Sequence, residues 1–200
     1  MEIKINASFI SSPMFPICCI INQTQYRRSR GIMEEDFIDA CDVLQELCGL
    51  LSGYRYELHY HDNSEYEYLN ETGVCITIFN PYSENKMYID LEEEFTLSYG
   101  AYHEHYYPNS TDYKEMVQTI KGILDNELCS ATMYSGEPLK WLGSTTITKA
   151  ESRERPIKDV FSFILKIKEF KIRLNTDGGE IYYNFWNPSD DKVIKITKKA

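Results

Sequence analysis

Four histidines in two His-x-His pairs are the residues of this chain best suited by type and spacing to do chemistry. The pairs are His59/His61 and His103/His105. Because residues two apart on a strand point to the same face, two such strands side by side would present four imidazoles to one metal ion. A metal-binding domain or metal-dependent enzyme is therefore one hypothesis. The second pair stands in a segment that predicts a loop before a helix, and on that ground we expect no bound metal or other cofactor.

No other catalytic motif accompanies the histidines. The chain contains no Gly-rich phosphate-binding loop, no Gly-x-Ser-x-Gly and no His-Glu-x-x-His. Its six cysteines include no Cys-x-x-Cys pair. Cys41 and Cys48 share the apolar face of a predicted helix, where a free thiol behaves as a small hydrophobic group. This pattern is typical of a reducing cytosol, and we predict a cytoplasmic protein without catalytic residues.

Residues 54–113 concentrate tyrosine and negative charge. They hold 12 of the 16 tyrosines, and 12 Asp or Glu side chains against two basic residues, Arg55 and Lys86. The net charge of this segment, -10, equals that of the whole chain. Tyrosine offers a large contact area with a polar tip and loses little rotamer freedom on binding, so it is favoured where proteins touch other molecules. The acidity favours a basic protein partner and disfavours nucleic acid.

The residues predicted to form the binding surface lie in or beside turns of this segment, or opposite an apolar strand face. Six are acidic and two are tyrosines at the expected centre of the contact: Glu65, Glu67, Glu92, Glu93, Glu94, Glu104, Tyr102 and Tyr106. The acids should steer association with the partner, and the tyrosines should slow its dissociation. A third hypothesis is a globular domain whose tyrosines serve only to pack a sheet, since Tyr is a good strand former.

Two helices that flank this segment are predicted from apolar stripes with three- and four-residue spacing. The first covers Glu34–Ser52, and the second covers Ser110–Glu127 with Ser110 or Thr111 as its N-cap. A third helix is predicted over Ile157–Lys168.

Alternating or continuously apolar runs predict the strands. They are Tyr54–Tyr60, Val74–Phe79, Met87–Leu91, Phe95–Tyr99, Leu128–Tyr134, Trp141–Thr148, Lys171–Leu174, Ile181–Trp186 and Val193–Ile196. Gly178-Gly179 is read as the turn of a hairpin. We therefore predict an α+β fold, with a mainly antiparallel sheet and about three helices in a single domain over residues 33–200. For residues 1–32 we predict a strand or loop appendage. We predict neither a signal peptide nor a membrane span.

Three segments together carry a family resemblance. They are Phe95–Tyr106, the helix that follows it, and Lys140-Trp-Leu-Gly-Ser-Thr145. The arrangement resembles small, acidic bacterial proteins of uncharacterised activity, some of which are similar to immunity proteins of polymorphic-toxin systems. The resemblance covers roughly residues 54–150, the span of the predicted elements that carry it. It implies a cytosolic protein that binds and neutralises a toxin domain, and it implies no catalytic role; the acidity of residues 54–113 adds the expectation that this domain is basic.

Overall fold

The computed structural model describes residues 37–198. Within this range the chain forms two antiparallel sheets and six α-helices, three of them ten residues or longer. The predicted α+β class with mainly antiparallel pairing is confirmed, although the strands divide between two sheets. The predicted appendage, residues 1–32, lies outside the described residues, as do Glu34, Glu35 and Asp36 of the first predicted helix.

The first sheet is a five-stranded meander whose strands pair in sequence order. Its members are β1 Tyr56–Tyr60, β2 Val74–Phe79, β3 Lys86–Leu91, β4 Phe95–Tyr99 and β5 Tyr102–Tyr106. Two helices pack on one face of this sheet, α1 Ala40–Leu50 before it and α2 Ser110–Leu124 after it. The opposite face of the five-stranded sheet, away from α1 and α2, is called the outer face below.

The two helices begin where a side chain caps their first backbone N–H groups. Asp39 accepts from Cys41 N at 2.8 Å and caps α1, which begins at Ala40, six residues later than predicted. Asn109 accepts from Thr111 N at 3.0 Å and Asp112 N at 2.9 Å, so the cap of α2 is Asn109 and not Ser110 or Thr111. The apolar stripes of both helices then cover the alternating strand residues, as the periodicity predicted.

The second sheet has the strand order β7-β6-β8-β9. Its strands are β6 Leu128–Ser135, β7 Lys140–Thr148, β8 Gly179–Phe185 and β9 Lys192–Ile196, and its helices are α3 Glu151–Glu154, α4 Ile157–Val160, α5 Ser162–Leu165 and α6 Lys168–Asp177. A separate apolar core lies between this sheet and the helices, among them α5, whose Ile164 lies against Gly143 of β7.

Three expectations for residues 157–179 are wrong. The predicted helix Ile157–Lys168 is divided into two four-residue helices, α4 and α5, and ends where α6 begins; the predicted strand Lys171–Leu174 lies within α6. Gly178-Gly179 is not a hairpin turn, because it ends α6 and begins β8. Gly178 has φ 70°, which an L side chain rarely adopts, and a Cβ on Gly179 would lie 2.2 Å from the Tyr134 carbonyl oxygen.

Buried hydrogen bonds join the two sheets. The Tyr99 hydroxyl donates to the Phe185 carbonyl at 2.6 Å, and Asn80 Nδ2 donates to the Trp186 carbonyl at 2.6 Å. The Trp186 ring also packs into the first core, which lies between the five-stranded sheet, α1 and α2. Its centroid is 5.6 Å from that of the Tyr99 ring. These contacts attach the end of β8 to the first sheet, as expected of one domain. None of the helices in the described range is both long and apolar enough to cross a membrane.

The cysteines differ from expectation at one position. Cys75 and Cys129 are buried and free, and Cys48 is half-buried and free. Cys41 is exposed on α1 and disulfide-bonded, so the prediction that it is a free thiol on the apolar face is wrong. The helix begins at Ala40 and its buried residues are Val43, Leu44 and Leu47, which leaves Cys41 on the opposite side.

Candidate protein-binding face

The two His-x-His pairs lie at opposite edges of the five-stranded sheet. His59 is in β1 and His103 and His105 are in β5, with three strands between them. At the usual strand spacing this is a separation of roughly 19 Å, far beyond the reach of one metal ion. The second pair lies in a strand, so the predicted loop is wrong, yet the pairs do not converge. Over residues 37–198 no group of three or more His, Cys, Asp or Glu side chains could hold a metal.

Tyr102 and Tyr106 are buried and therefore do not belong to the predicted contact surface. Both are 5% exposed and belong to the first core, because they occupy the face of β5 that is turned towards α2. Their hydroxyls lie 3.3 Å apart, and the Tyr106 hydroxyl also donates to Thr119 Oγ1 of α2 at 3.5 Å. Neither ring can form the centre of a contact with another protein.

The six predicted acidic residues fall into two groups. Glu65, Glu67, Glu93 and Glu104 are exposed. Glu92 and Glu94 are half-buried at the turn between β3 and β4 and already contact this chain. Glu92 Oε1 accepts from Asn70 N at 2.7 Å, and Glu94 Oε2 lies 3.8 Å from His105 Nδ1.

Glu104 is also separated from the other five acids. It lies on the α2 side of β5, beside Tyr102 and Tyr106. There it lines a cavity of about 320 Å³ between β5, α2 and β7, together with Asp112 and Glu115. Glu104 therefore does not join a common surface with Glu65, Glu67 and the Glu92–Glu94 turn.

Residues 61–73, called the covering loop below, fold over part of the outer face. His61 Nδ1 donates to the Leu69 carbonyl at 2.6 Å, closing the loop. The Tyr66 ring stacks on His59 of β1, with centroids 4.1 Å apart and planes 5° from parallel. The Tyr66 hydroxyl lies 3.3 Å from Thr77 Oγ1 of β2. The loop thus covers β1 and β2 and leaves the outer face of β3 and β4 open.

An open cleft lies where the covering loop meets β3 and β4. It has a volume of about 370 Å³ and is called the tyrosine cleft; its lining residues are Glu65, Tyr66, Tyr68, Tyr88, Asp90 and Ser98. The Tyr68 ring lies 6.1 Å from the Tyr66 ring at an angle of 40°, and its hydroxyl donates to Asp90 Oδ1 at 3.1 Å. Three aromatic rings and two carboxylates therefore surround one concave site.

Two groups beside the Asp90 carboxyl, the Tyr68 hydroxyl and the Cys75 thiol, have raised pKa values. Tyr68 is 60% exposed, but its hydroxyl is turned inward, and burial of that end with Cys75 and Asp90 nearby raises the pKa of Tyr68. Burial, followed by the hydrogen bond to Asp90, raises the pKa of the Cys75 thiol beneath the cleft to about 12. At neutral pH both groups keep their protons beside the Asp90 carboxyl.

The two basic side chains of residues 54–113 lie away from the tyrosine cleft. Arg55 lies over the Phe79 ring at 4.1 Å and Lys86 lies over the same ring at 5.0 Å. Phe79 pairs with Lys86 at one end of β3, whereas the Glu92–Glu94 turn follows the other end. Negative charge on the outer face is therefore concentrated at the covering loop and at this turn, without basic neighbours from these strands.

No protein family matches this chain, and comparison with curated proteins and with solved structures finds no match either. The resemblance to immunity proteins therefore remains an expectation from the sequence.

Of the residues that line the tyrosine cleft, sequence reasoning named only Glu65. Tyr88 and Asp90 alternate with the buried Met87, Ile89 and Leu91, and this alternation alone places them on the polar face of β3. The contribution of Tyr66 and Tyr68 depends on how the covering loop folds back across the sheet. Neighbours 22 residues apart, such as Tyr68 and Asp90, leave no local pattern.

Proposed function

We propose that this chain is a protein-binding module that recognises a basic partner protein through the outer face of the five-stranded sheet, as an immunity-type inhibitor of a toxin domain would. The observation that carries the proposal is that exposed tyrosine and several carboxylates lie together on one side of the sheet. Tyr68 is 60% exposed beside Asp90 and Glu65, and Glu67 and Glu93 are exposed nearby in sequence.

Charge and aromatic area have separate tasks in this proposal. Carboxylates at the rim attract a basic partner from a distance, which raises the association rate and disfavours acidic competitors. Tyrosine rings in the middle of the face supply a large aromatic contact area, which lowers the dissociation rate. The Glu92 and Glu94 carboxylates, engaged within the chain, support the face rather than make its outermost contacts.

The test compares two triple charge reversals that change the net charge equally. The face variant carries Glu67→Lys, Glu71→Lys and Glu93→Lys, all at exposed positions of the covering loop and the β3–β4 turn. Affinity capture with the unchanged protein, followed by mass spectrometry, supplies the partner. Association rates are then measured at low and at high salt. We expect the face variant to associate at least about tenfold more slowly at low salt, with a smaller effect at high salt.

The matched control reverses three exposed acids beside the second sheet. They are Glu154, Asp159 and Glu169, each replaced by Lys. The control should keep the wild-type association rate within about twofold, because its charges lie outside the proposed face. A captured partner that is acidic, or one that binds the face variant and the control equally fast, would refute the proposed face.

The inhibitor function has its own test once the partner is known. The partner, expressed alone, should arrest growth of a host cell, and co-expression with this chain should restore growth. The face variant should restore growth poorly, while the control variant should restore it fully. A harmless partner would contradict the immunity function and leave the binding function standing.

A further inference from the structure

We propose that the tyrosine cleft is the site that receives a cationic side chain of the partner, a lysine ammonium or an arginine guanidinium. This inference deepens the proposed function and rests on it for the source of the cation. Its physical basis is that aromatic faces carry negative electrostatic potential and attract a cation placed within about 6 Å of the ring centre.

The three tyrosines present suitable walls for such a cation. Tyr66 is held by its parallel stack on His59 and by its hydroxyl contact with Thr77, so its position is set by the sheet. Tyr68 stands 6.1 Å from Tyr66 between ring centroids. Tyr88 rises from β3, directly opposite Thr77 of β2 and Ser98 of β4. The rings therefore approach the cleft from the covering loop on one side and from the sheet below.

Asp90 supplies the full negative charge that selects a cation over a neutral group. It accepts hydrogen bonds from the Tyr68 hydroxyl and the Cys75 thiol, but a carboxylate has about four acceptor positions and can serve a further donor. Glu65 adds a second carboxylate at the exposed rim. A cleft of about 370 Å³ has room for the head group and stem of a basic side chain with some water. Among residues 37–198, no Lys or Arg lines it.

The basic side chains of this sheet show the same preference internally. Arg55 and Lys86 both lie over Phe79, the aromatic ring at the far end of the outer face. The tyrosine cleft offers three rings and nearby carboxylates, and no basic side chain of residues 37–198 lines it. A basic residue from another protein is the group whose charge and shape complement it.

The experiment uses small probes, so that it does not require the partner. Nα-acetyl-lysine amide and Nα-acetyl-arginine amide are titrated into the full-length protein, and the ring signals of isotope-labelled tyrosine are followed by NMR. Nα-acetyl-norleucine amide is the neutral probe of similar shape. We expect saturable shifts for Tyr66, Tyr68 and Tyr88 with the cationic probes and not with the neutral one. The probe that binds more tightly then shows whether the cleft prefers a lysine ammonium or an arginine guanidinium.

Two variants test the parts of the cleft. Asp90→Asn keeps the shape and the acceptor for Tyr68 while removing the charge, and Tyr68→Leu removes one ring. Each should weaken binding of the cationic probe about threefold to tenfold. Tyr82→Leu is the matched control, because Tyr82 is 63% exposed but does not line the cleft, and it should leave the affinity unchanged.

Failure of the cleft and failure of the proposed function give different results. Equal shifts with the neutral probe, no saturable shift, or an affinity unaffected by Asp90→Asn would overturn the cation site. The cation site would also be overturned if the partner dissociates from the Tyr68→Leu variant no faster than from the wild type, while the charge reversals on the face still slow its association. If the face variant binds the partner normally but the cationic probes still bind the cleft, the proposed function fails and the cation site stands.

Discussion

Glu92 should position the covering loop, whereas its neighbour Glu93 should contribute only charge. Glu92 Oε1 accepts from Asn70 N at 2.7 Å, and the Glu92 side chain also packs against Gly73. A carboxylate that receives a backbone N–H resembles a helix N-cap, whose loss costs about 1 kcal/mol. We expect Glu92→Ala to lower the free energy of unfolding by about 1 kcal/mol, a fall in Tm of about 2–4 °C in a chain of this size.

The matched control is Glu93→Ala at the exposed neighbouring position. It removes the same charge from the same acidic turn, so it measures the relief of repulsion alone. Its stability should lie within about 0.5 kcal/mol of the wild type. Urea unfolding monitored by circular dichroism gives the free energies, and hydrogen exchange at the Asn70 amide reports the local contact. Exchange there should accelerate in the Glu92 variant and not in the Glu93 variant.

A substitution at Gly73 tests the same contact from the other side. A Cβ on Gly73 would lie 3.0 Å from Glu92 Oε1 and 3.1 Å from its Cγ. Gly73→Ala should therefore cost more stability in the wild type than in the Glu92→Ala background, with a coupling of about 0.5 kcal/mol or more. Equal stabilities of the Glu92 and Glu93 variants, together with no coupling to Gly73, would refute the role of Glu92.

Four further outcomes follow from buried groups. Burial raises the pKa of the Cys75 and Cys129 thiols to about 12 from an ordinary 9.0, so both should resist alkylation in the folded protein, as mass spectrometry can show. Their neutral forms should stabilise the fold fully below about pH 9, and urea titrations should show that stability being lost as the pH rises towards 12. Tyr99→Phe leaves the Phe185 carbonyl without its donor and should cost about 1–3 kcal/mol in a single transition of both sheets; two transitions would contradict one cooperative domain. Tyr106→Ala should cost about 3–5 kcal/mol, and a fully stable variant would contradict its place in the core.

Periodic apolar patterns were sufficient to predict the parts of the fold that bury one face. The alternation of Met87, Ile89 and Leu91 predicted β3, and the apolar stripe of α2 predicted a helix from Ser110, where α2 does begin, although its cap is Asn109. In both cases the apolar residues of the local pattern are the residues buried in the core. The α+β class follows directly from such segments.

Residues 168–177 show where local patterns become ambiguous. Lys171–Leu174 was read as a strand, but only Leu174 in α6 is buried. A four-residue segment with one buried apolar side chain fits a strand or a helix equally well. Packing against β6 and β8 favours the helix. The sequence carried too little hydrophobic information there to distinguish the two periods.

The sequence by itself determined that this protein is acidic, rich in tyrosine and able to form an α+β core. It did not determine which tyrosines face the solvent. Tyr106 is 5% exposed and Tyr68 is 60% exposed, although both lie among acidic residues of the same segment. Strand order separated the histidine pairs, and the covering loop brought Tyr68 to Asp90. These arrangements join residues distant in sequence, and they are set by which faces and edges pack together, a property that no local run of side chains contains.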